Sequence, residues 1–210
     1  LNTSSGIPTN AALGLLNMLL KINEDFHPDY LVCAFDAPTP EFRTAIFPEY
    51  KAHRPEPAED FTAQIPVAEE VLEAFRIPSL RTEGYEADDL IGALCNQAQQ
   101  ADVETVIVSN DRDLLQLVGP SVRVLATGRS LSQTILYDPA AVEERFGVRP
   151  DQMVDYKALA GDPSDNLPGI PGVGEKTAAK LLQRFGSLTG IVQHLSEIEP
   201  ARLQQQVAEA

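Results

Sequence analysis

Apolar and polar positions alternate along the first two-thirds of the chain with two different periods. Leu13, Leu16, Leu19 and Leu20 recur at helical spacing, and Thr9 is placed to cap a helix running to about Ile22. Tyr30 to Phe35 is an unbroken apolar run, the pattern of a strand buried on both faces of a parallel sheet. A second amphipathic helix is predicted over Thr62–Arg76, a short strand over Ile77–Leu80, and a third helix from the acidic stretch at 86–89 to about Gln100. Glu104–Ser109 reads as another buried strand. Val122–Leu125 and Thr134–Tyr137 read as short strands with Gly128 in the turn between them. Asp138-Pro139 then caps a helix that ends near Phe146-Gly147. Strands alternating with helices predict an α/β fold with a mostly parallel sheet flanked by helices.

Beyond Pro150 the strand signal stops. Asp151–Ala160 reads as helix, followed by a Gly- and Pro-rich stretch and a further helix carrying Ala178, Ala179, Leu181, Leu182 and Phe185 up to Gly186. The expected organisation is an α/β core over 1–150 and an all-helical helix-hairpin-helix element within 151–210. The segment 37–60 stands apart: Pro38, Pro40, Pro48, Pro55 and Pro57 break regular structure there.

The 210 residues suffice for one core or a core with a small appendage. No apolar run approaches the ~20 residues that span a bilayer, and no secretory signal precedes the first helix. Cys33 and Cys95 sit in apolar stretches without metal-ligand spacing, which fits reduced core thiols in a cytoplasmic protein.

A net charge of −15 opposes nucleic-acid binding unless charge is organised locally. The acid excess belongs to the larger part, with 11 basic and 23 acidic residues over 1–150 against 5 and 8 over 151–210. Within it, Arg43, Lys51, His53 and Arg54 interleave with Phe42, Phe47 and Tyr50. That mixture suits a segment gripping phosphates and bases, or simply a polar surface loop.

Carboxylates gather at the ends of predicted strands and the start of a helix. Asp36 closes the first apolar run, a position where open α/β sheets place ligands and where a loop-start cap is equally at home. Glu86, Asp88 and Asp89 crowd the first turn of a helix, whose dipole favours one or two negative charges, while three repel unless a cation or water screens them. Asp111 and Asp113 flank Arg112 at the end of the 104–109 strand, either as a cap with an ion pair or as ligands. Further on, Gly172-Val173-Gly174 opens a helix bearing Lys176, Lys180 and Arg184, so that small residues and a helix N-terminus can meet a phosphate. Clustered carboxylates without clustered His or Cys suit Mg2+ or Mn2+ rather than zinc.

Five stretches together resemble the 5′-nuclease domains of bacterial DNA polymerase I, in the flap endonuclease superfamily. They are Phe35-Asp36-Ala37, Tyr50 to Arg54, Gly84 to Asp89, Asp111-Arg112-Asp113-Leu114 and Gly161 to Ala178, in family order across essentially the whole chain. The resemblance implies a PIN-like nuclease core, a helix–three-turn–helix DNA-binding element and two-metal hydrolysis of DNA, as 5′-3′ exonuclease and flap endonuclease, in replication and repair. It implies one metal cluster of Asp36, Glu86, Asp88 and Asp89 and another of Asp111, Asp113, Asp162 and Asp165. Lys51 and Arg54 would be catalytic, at the base of an arch formed by 37–60. Arg43, Tyr50, Gly172, Gly174, Lys176, Thr177 and Lys180 would contact DNA, and the hairpin would hold K+ through backbone carbonyls. It further implies a fused polymerase domain, a monomer, and a place at the bacterial nucleoid. The family pattern begins with a strand whose terminal aspartate would lie ahead of Leu1. The alternative to an active nuclease is therefore a DNA-binding fragment impaired in cleavage for want of that aspartate.

Overall fold

The computed structural model describes residues 6, 8–37, 41–128 and 133–209. In chain order the elements are α1 (Asn10–Phe26), β1 (Cys33–Ala34), α2 (Glu41–Ile46), α3 (Glu59–Thr62), α4 (Ile65–Ala74), β2 (Ser79–Leu80), α5 (Ala87–Gln100), β3 (Thr105–Val108), β4 (Val122–Thr127), β5 (Thr134–Tyr137), α6 (Pro139–Phe146), α7 (Met153–Ala160), α8 (Glu175–Phe185), α9 (Leu188–Gln193) and α10 (Ala201–Ala208). Short 3-10 helices occupy Arg112–Leu117, Pro150–Gln152 and Leu195–Glu197. The chain forms two compact units, Leu1–Glu41 with Arg54–Leu90 and Phe42–His53 with Ile91–Ala210.

In the first unit, α1 and α4 bury Ala12, Leu19, Ile22 and Leu72. Gln64, only 2% exposed, ties the two helices' starts together. It accepts from the Ala11 amide at 2.7 Å and donates to the Asp60 carbonyl at 2.7 Å, so a buried amide is satisfied on both ends. The helix predicted over 62–76 is divided into α3 and α4. Pro66, which has no amide to donate, sits in the first turn of α4, where none is needed.

The strand predicted over 30–35 is reduced to Cys33–Ala34, parallel to Ser79–Leu80. Tyr30 is 83% exposed, so the apolar run is not buried along its length. Its partner is equally short: Pro78 accepts from the Cys33 amide at 2.9 Å but has no amide to extend the ladder.

The second unit carries the larger core. β3 and β4 pair in parallel, and β4 and β5 antiparallel. Cys95, Ile107, Leu114, Val124, Val142, Leu159, Leu182 and Ile191 belong to one continuous buried cluster, so sheet and C-terminal helices share an interior. Both cysteines are free thiols whose pKa burial raises; Cys95 is a core residue, whereas Cys33 is only partly buried. The segment expected to lack regular structure contains α2; Pro38 and Pro40 lie outside the described residues. Among the described residues no helix is long and apolar enough to cross a membrane.

α7 and α8 frame the connection that sets up the site. Asp162 and Leu167 exchange both backbone hydrogen bonds, at 2.9 and 2.8 Å, and pinch 162–167 into a closed loop. Gly161 and Gly169 pack against each other where this loop leaves and rejoins the helices, both with positive φ (80° and 61°). A Cβ on Gly169 would collide with the backbone of Ala160 and Gly161. Gly169→Ala is expected to destabilise the protein by more than about 2 kcal/mol, from left-handed strain plus the collision. Urea denaturation of the two proteins would show it, and equal midpoints would refute the close packing.

Candidate metal centre and nucleic-acid interface

In the first unit, the carboxylates at the start of α5 are organised by backbone amides. The Glu86 amide donates to Asp89 Oδ2 at 2.9 Å, half of a capping box. The Ala87 amide donates to Asp36 Oδ1 at 2.8 Å, which brings the end of β1 onto the N-terminus of α5. Glu86 is buried. Asp36 thus takes the capping role, accepting from a first-turn amide of the helix that carries Asp88 and Asp89.

In the second unit, carboxylate oxygens of Asp113, Asp162 and Asp165 lie within 4.8 Å of one another, and among the described residues this is the one such cluster of three. Asp162 and Asp165 are each 8% exposed. Two elements build it. Asp113 comes from the 3-10 turn after β3, and Asp162 and Asp165 from the pinched loop after α7. Asp111 is not in the cluster. It caps the 3-10 helix, its side chain accepting from the Asp113 amide at 2.9 Å. Arg112 is not paired within its own turn; it approaches Glu175 at 3.9 Å and lies over the Phe146 ring.

Lys157, on α7, supplies the positive charge that this cluster requires. Its ammonium forms ion pairs with Asp113 and, at 2.6 Å, with Asp162. It was not singled out from sequence. The available signal was its spacing, one helical turn and one residue ahead of Asp162 on the same helix-loop unit. Burial raises the pKa of Asp162, but the Lys157 hydrogen bond, the Ser164 hydroxyl (2.5 Å) and amide (2.8 Å) and the Lys157 charge outweigh it, and hold the carboxyl down to about 2. A site that draws an ammonium between two carboxylates, with a third within reach, fits a hard divalent cation with oxygen ligands. Asp113, Asp162 and Asp165 are the residues that would hold it.

The basic-aromatic segment is ordered as stacked pairs. The Arg43 guanidinium lies 4.8 Å from the Phe42 ring and 6.0 Å from the Tyr50 ring, and Lys51 Nζ lies 4.9 Å from Tyr50. The Lys51 amide donates to the Asp165 carbonyl at 3.2 Å, and the Asn166 side chain donates to the Glu49 carbonyl at 2.8 Å. Both contacts fall inside the second unit, so Lys51 is attached to the carboxylate-bearing loop itself. Arg54 belongs to the first unit and is exposed.

At the hairpin, α8 buries Ala178, Ala179, Leu181 and Leu182 and exposes Lys176, Lys180 and Arg184 in one row, four residues apart. Gly174 precedes α8 with open space where a side chain would be, and exposed Gly172 has φ +82°. Thr177 is half-buried beside Lys176 in the first turn. Uncapped amides and exposed lysines at one helix start are a chemistry for anions.

A carboxylate cluster suited to a divalent cation, a lysine fastened to its loop and a basic Gly-rich hairpin define the class of metal-dependent enzymes acting on phosphate esters. The chain matches the 5′-3′ exonuclease N-terminal resolvase-like domain over residues 1–147 and the 5′-3′ exonuclease C-terminal SAM fold over residues 148–210. It belongs to the 5′-3′ exonuclease family. It is 43% identical over 205 residues to DNA polymerase I of Bacillus caldotenax, covering 98% of this chain and 23% of that protein. It is 38% identical over 209 residues to DNA polymerase I of Bacillus subtilis, covering 100% and 24%. The chain thus spans about a quarter of the length of these relatives. Among solved structures, its fold is similar to a T5 5′-exonuclease with bound zinc (TM-score 0.81, 20% identity, covering 96% of this chain and 76% of that one). It is also similar to the catalytic core of Rad2 in complex with DNA substrate (TM-score 0.62, 17% identity, 95% and 63%).

The depressed pKa of Asp162 lies below the unfolded value of ~3.9, so its ionisation contributes stability that is complete above about pH 4 and lost as pH falls through about 2. Lys157→Met keeps the apolar stem but removes the charge. In metal-free buffer, the stability gap between wild type and Lys157→Met is expected to narrow steadily between pH 4 and pH 2 in urea titrations. A gap that stays constant over that range would show that the ammonium does not hold Asp162 ionised.

Proposed function

We propose that this chain is the nuclease part of a longer bacterial protein and hydrolyses DNA phosphodiesters from 5′ ends, as 5′-3′ exonuclease and flap endonuclease in replication and repair. The observation that carries the reading is the convergence of Asp113, Asp162 and Asp165 on one another, with Lys51 hydrogen-bonded to the Asp165 backbone. Mg2+ or Mn2+ is the proposed cofactor, held in one cluster by Asp113, Asp162 and Asp165 with Asp111 at its edge, and in a second by Asp36, Glu86, Asp88 and Asp89. When bound, such cations polarise a phosphodiester and make water nucleophilic at neutral pH.

The chain's own groups supply position and charge. Lys51 and Arg54 meet the scissile phosphate and favour the charge that grows on it during cleavage. Arg43 and Tyr50 offer a cation and a stacking face to unpaired 5′ nucleotides. The amides of Gly172 and Gly174, with Thr177, Lys176 and Lys180, take the backbone of the duplex without reading its sequence. K+ at the carbonyls of the same hairpin, a polymerase domain in the rest of the protein, a monomeric state and a nucleoid location complete the proposal. The similarity to DNA polymerase I relatives about four times as long supports the polymerase domain.

Lys51→Ala in the full-length protein is expected to lower kcat on a 5′-flap DNA by about a hundredfold or more while changing DNA affinity by less than about threefold. Equal losses in rate and binding would assign Lys51 to binding alone. For Lys176→Ala, the expectation is weaker duplex binding for every sequence, with the salt slope of log K reduced by about 1. An unchanged slope would remove Lys176 from the phosphate contacts.

A further inference from the structure

The turn that carries Lys51 is held in place from the carboxylate loop. Lys51 has φ +55°, a left-handed conformation that costs a non-glycine residue free energy and therefore persists only when neighbours impose it. Two contacts impose it here. The Lys51 amide donates to the Asp165 carbonyl, and Asn166 Nδ2 donates to the carbonyl of Glu49, two residues before Lys51. Asn166 is itself left-handed, at φ +64°, a conformation that asparagine tolerates better than most residues. That twist follows directly on Asp165, and the side-chain amide of Asn166 reaches the 49–51 turn. The loop has no freedom to drift, because the Asp162–Leu167 bridge closes it and Gly161 and Gly169 pack its two ends together.

We propose that Asn166 is a positioning residue for Lys51. It fastens the Glu49–Lys51 turn to the loop that presents Asp162 and Asp165, so that the lysine and the carboxylates keep one spacing. The inference rests on the proposed contact of Lys51 with the scissile phosphate. The Asn166 side chain acts through the backbone of residues 49–51, and loss of its amide lets Lys51 leave the geometry in which it meets the phosphate. The carboxylate cluster stays as it is, since Asp162 and Asp165 are held by the bridge and by their own loop.

Asn166→Gly and Asn166→Asp separate this role from a structural one. Both residues accept a left-handed backbone, and neither can donate to the Glu49 carbonyl. In the full-length protein each is expected to lower kcat on a 5′-flap DNA by about ten- to a hundredfold, the scale of a misplaced catalytic group, with KM nearly unchanged. Ca2+ binding by Asn166→Gly, followed by calorimetry, is expected to stay within twofold of wild type. Amide hydrogen exchange should accelerate in 49–53 and not in α7 or α8. In a Lys51→Ala background, Asn166→Gly should cost less than a further twofold. Wild-type kcat in both Asn166 variants, weakened Ca2+ binding by Asn166→Gly, or an undiminished loss in the Lys51→Ala background would each overturn the proposal. If Lys51→Ala alone leaves kcat unchanged, the proposed role of Lys51 fails first and the inference falls with it.

Discussion

Like charge held at close range is the constraint on which the second unit is built. Asp113, Asp162 and Asp165 are brought within a few ångströms of one another, two of them nearly out of solvent. Buried carboxylates at that spacing cannot all remain ionised without a compensating cation. Lys157 meets the requirement from inside the fold, between Asp113 and Asp162. The local geometry follows from it. The Ser164 hydroxyl and amide turn inward to Asp162, and the loop closes on the Asp162–Leu167 bridge.

The same loop links the chemistry to the recognition surfaces. On one side Asp165 and Asn166 hold the backbone of the 49–51 turn. On the other side, past Gly169, the chain enters the turn that opens α8 and its row of Lys176, Lys180 and Arg184. One 14-residue connection between α7 and α8 therefore carries two of the three clustered carboxylates, holds a basic segment in register and leads into a helix start lined with lysines. Its density of glycine and proline follows from that crowding, because backbone meets backbone at Gly161 and Gly169, where no side chain fits.

An acidic protein can reach a polyanion when its charges are sorted in space. The net charge of −15 is an average over surfaces that do not all face a ligand. Carboxylates paired with an ammonium such as Lys157 repel phosphate less, and exposed lysines on α8 with Arg43 and Lys51 against Tyr50 form local positive surfaces. This sorting is why a net charge says little about which surfaces could meet a polyanion.

Much of the architecture was legible in the residues. The period of the apolar positions located α1, α5, α6 and α8 within a few residues, because one buried stripe per helix suffices to specify it. Asp113 was legible at the end of a predicted strand, whereas Asp162 and Asp165, in the loop after α7, were implied only by the family resemblance. The strand over 30–35 was overextended because apolar content reports burial only when a partner strand exists along its whole length. The helix expected over 62–76 instead breaks into two, with α4 starting at Ile65, because Pro66 has no amide to donate and fits only a first turn. Lys157 stayed hidden: a lysine on a helix is ordinarily solvated, and its role depends on Asp113, 44 positions earlier, arriving beside it. Asn166 likewise has no local signal for its bond to Glu49, 117 positions away. Local pattern settles what each segment wants to bury, since that depends on neighbours in sequence. Which charges meet depends on loop closures across the chain, and those exist only once the core has set.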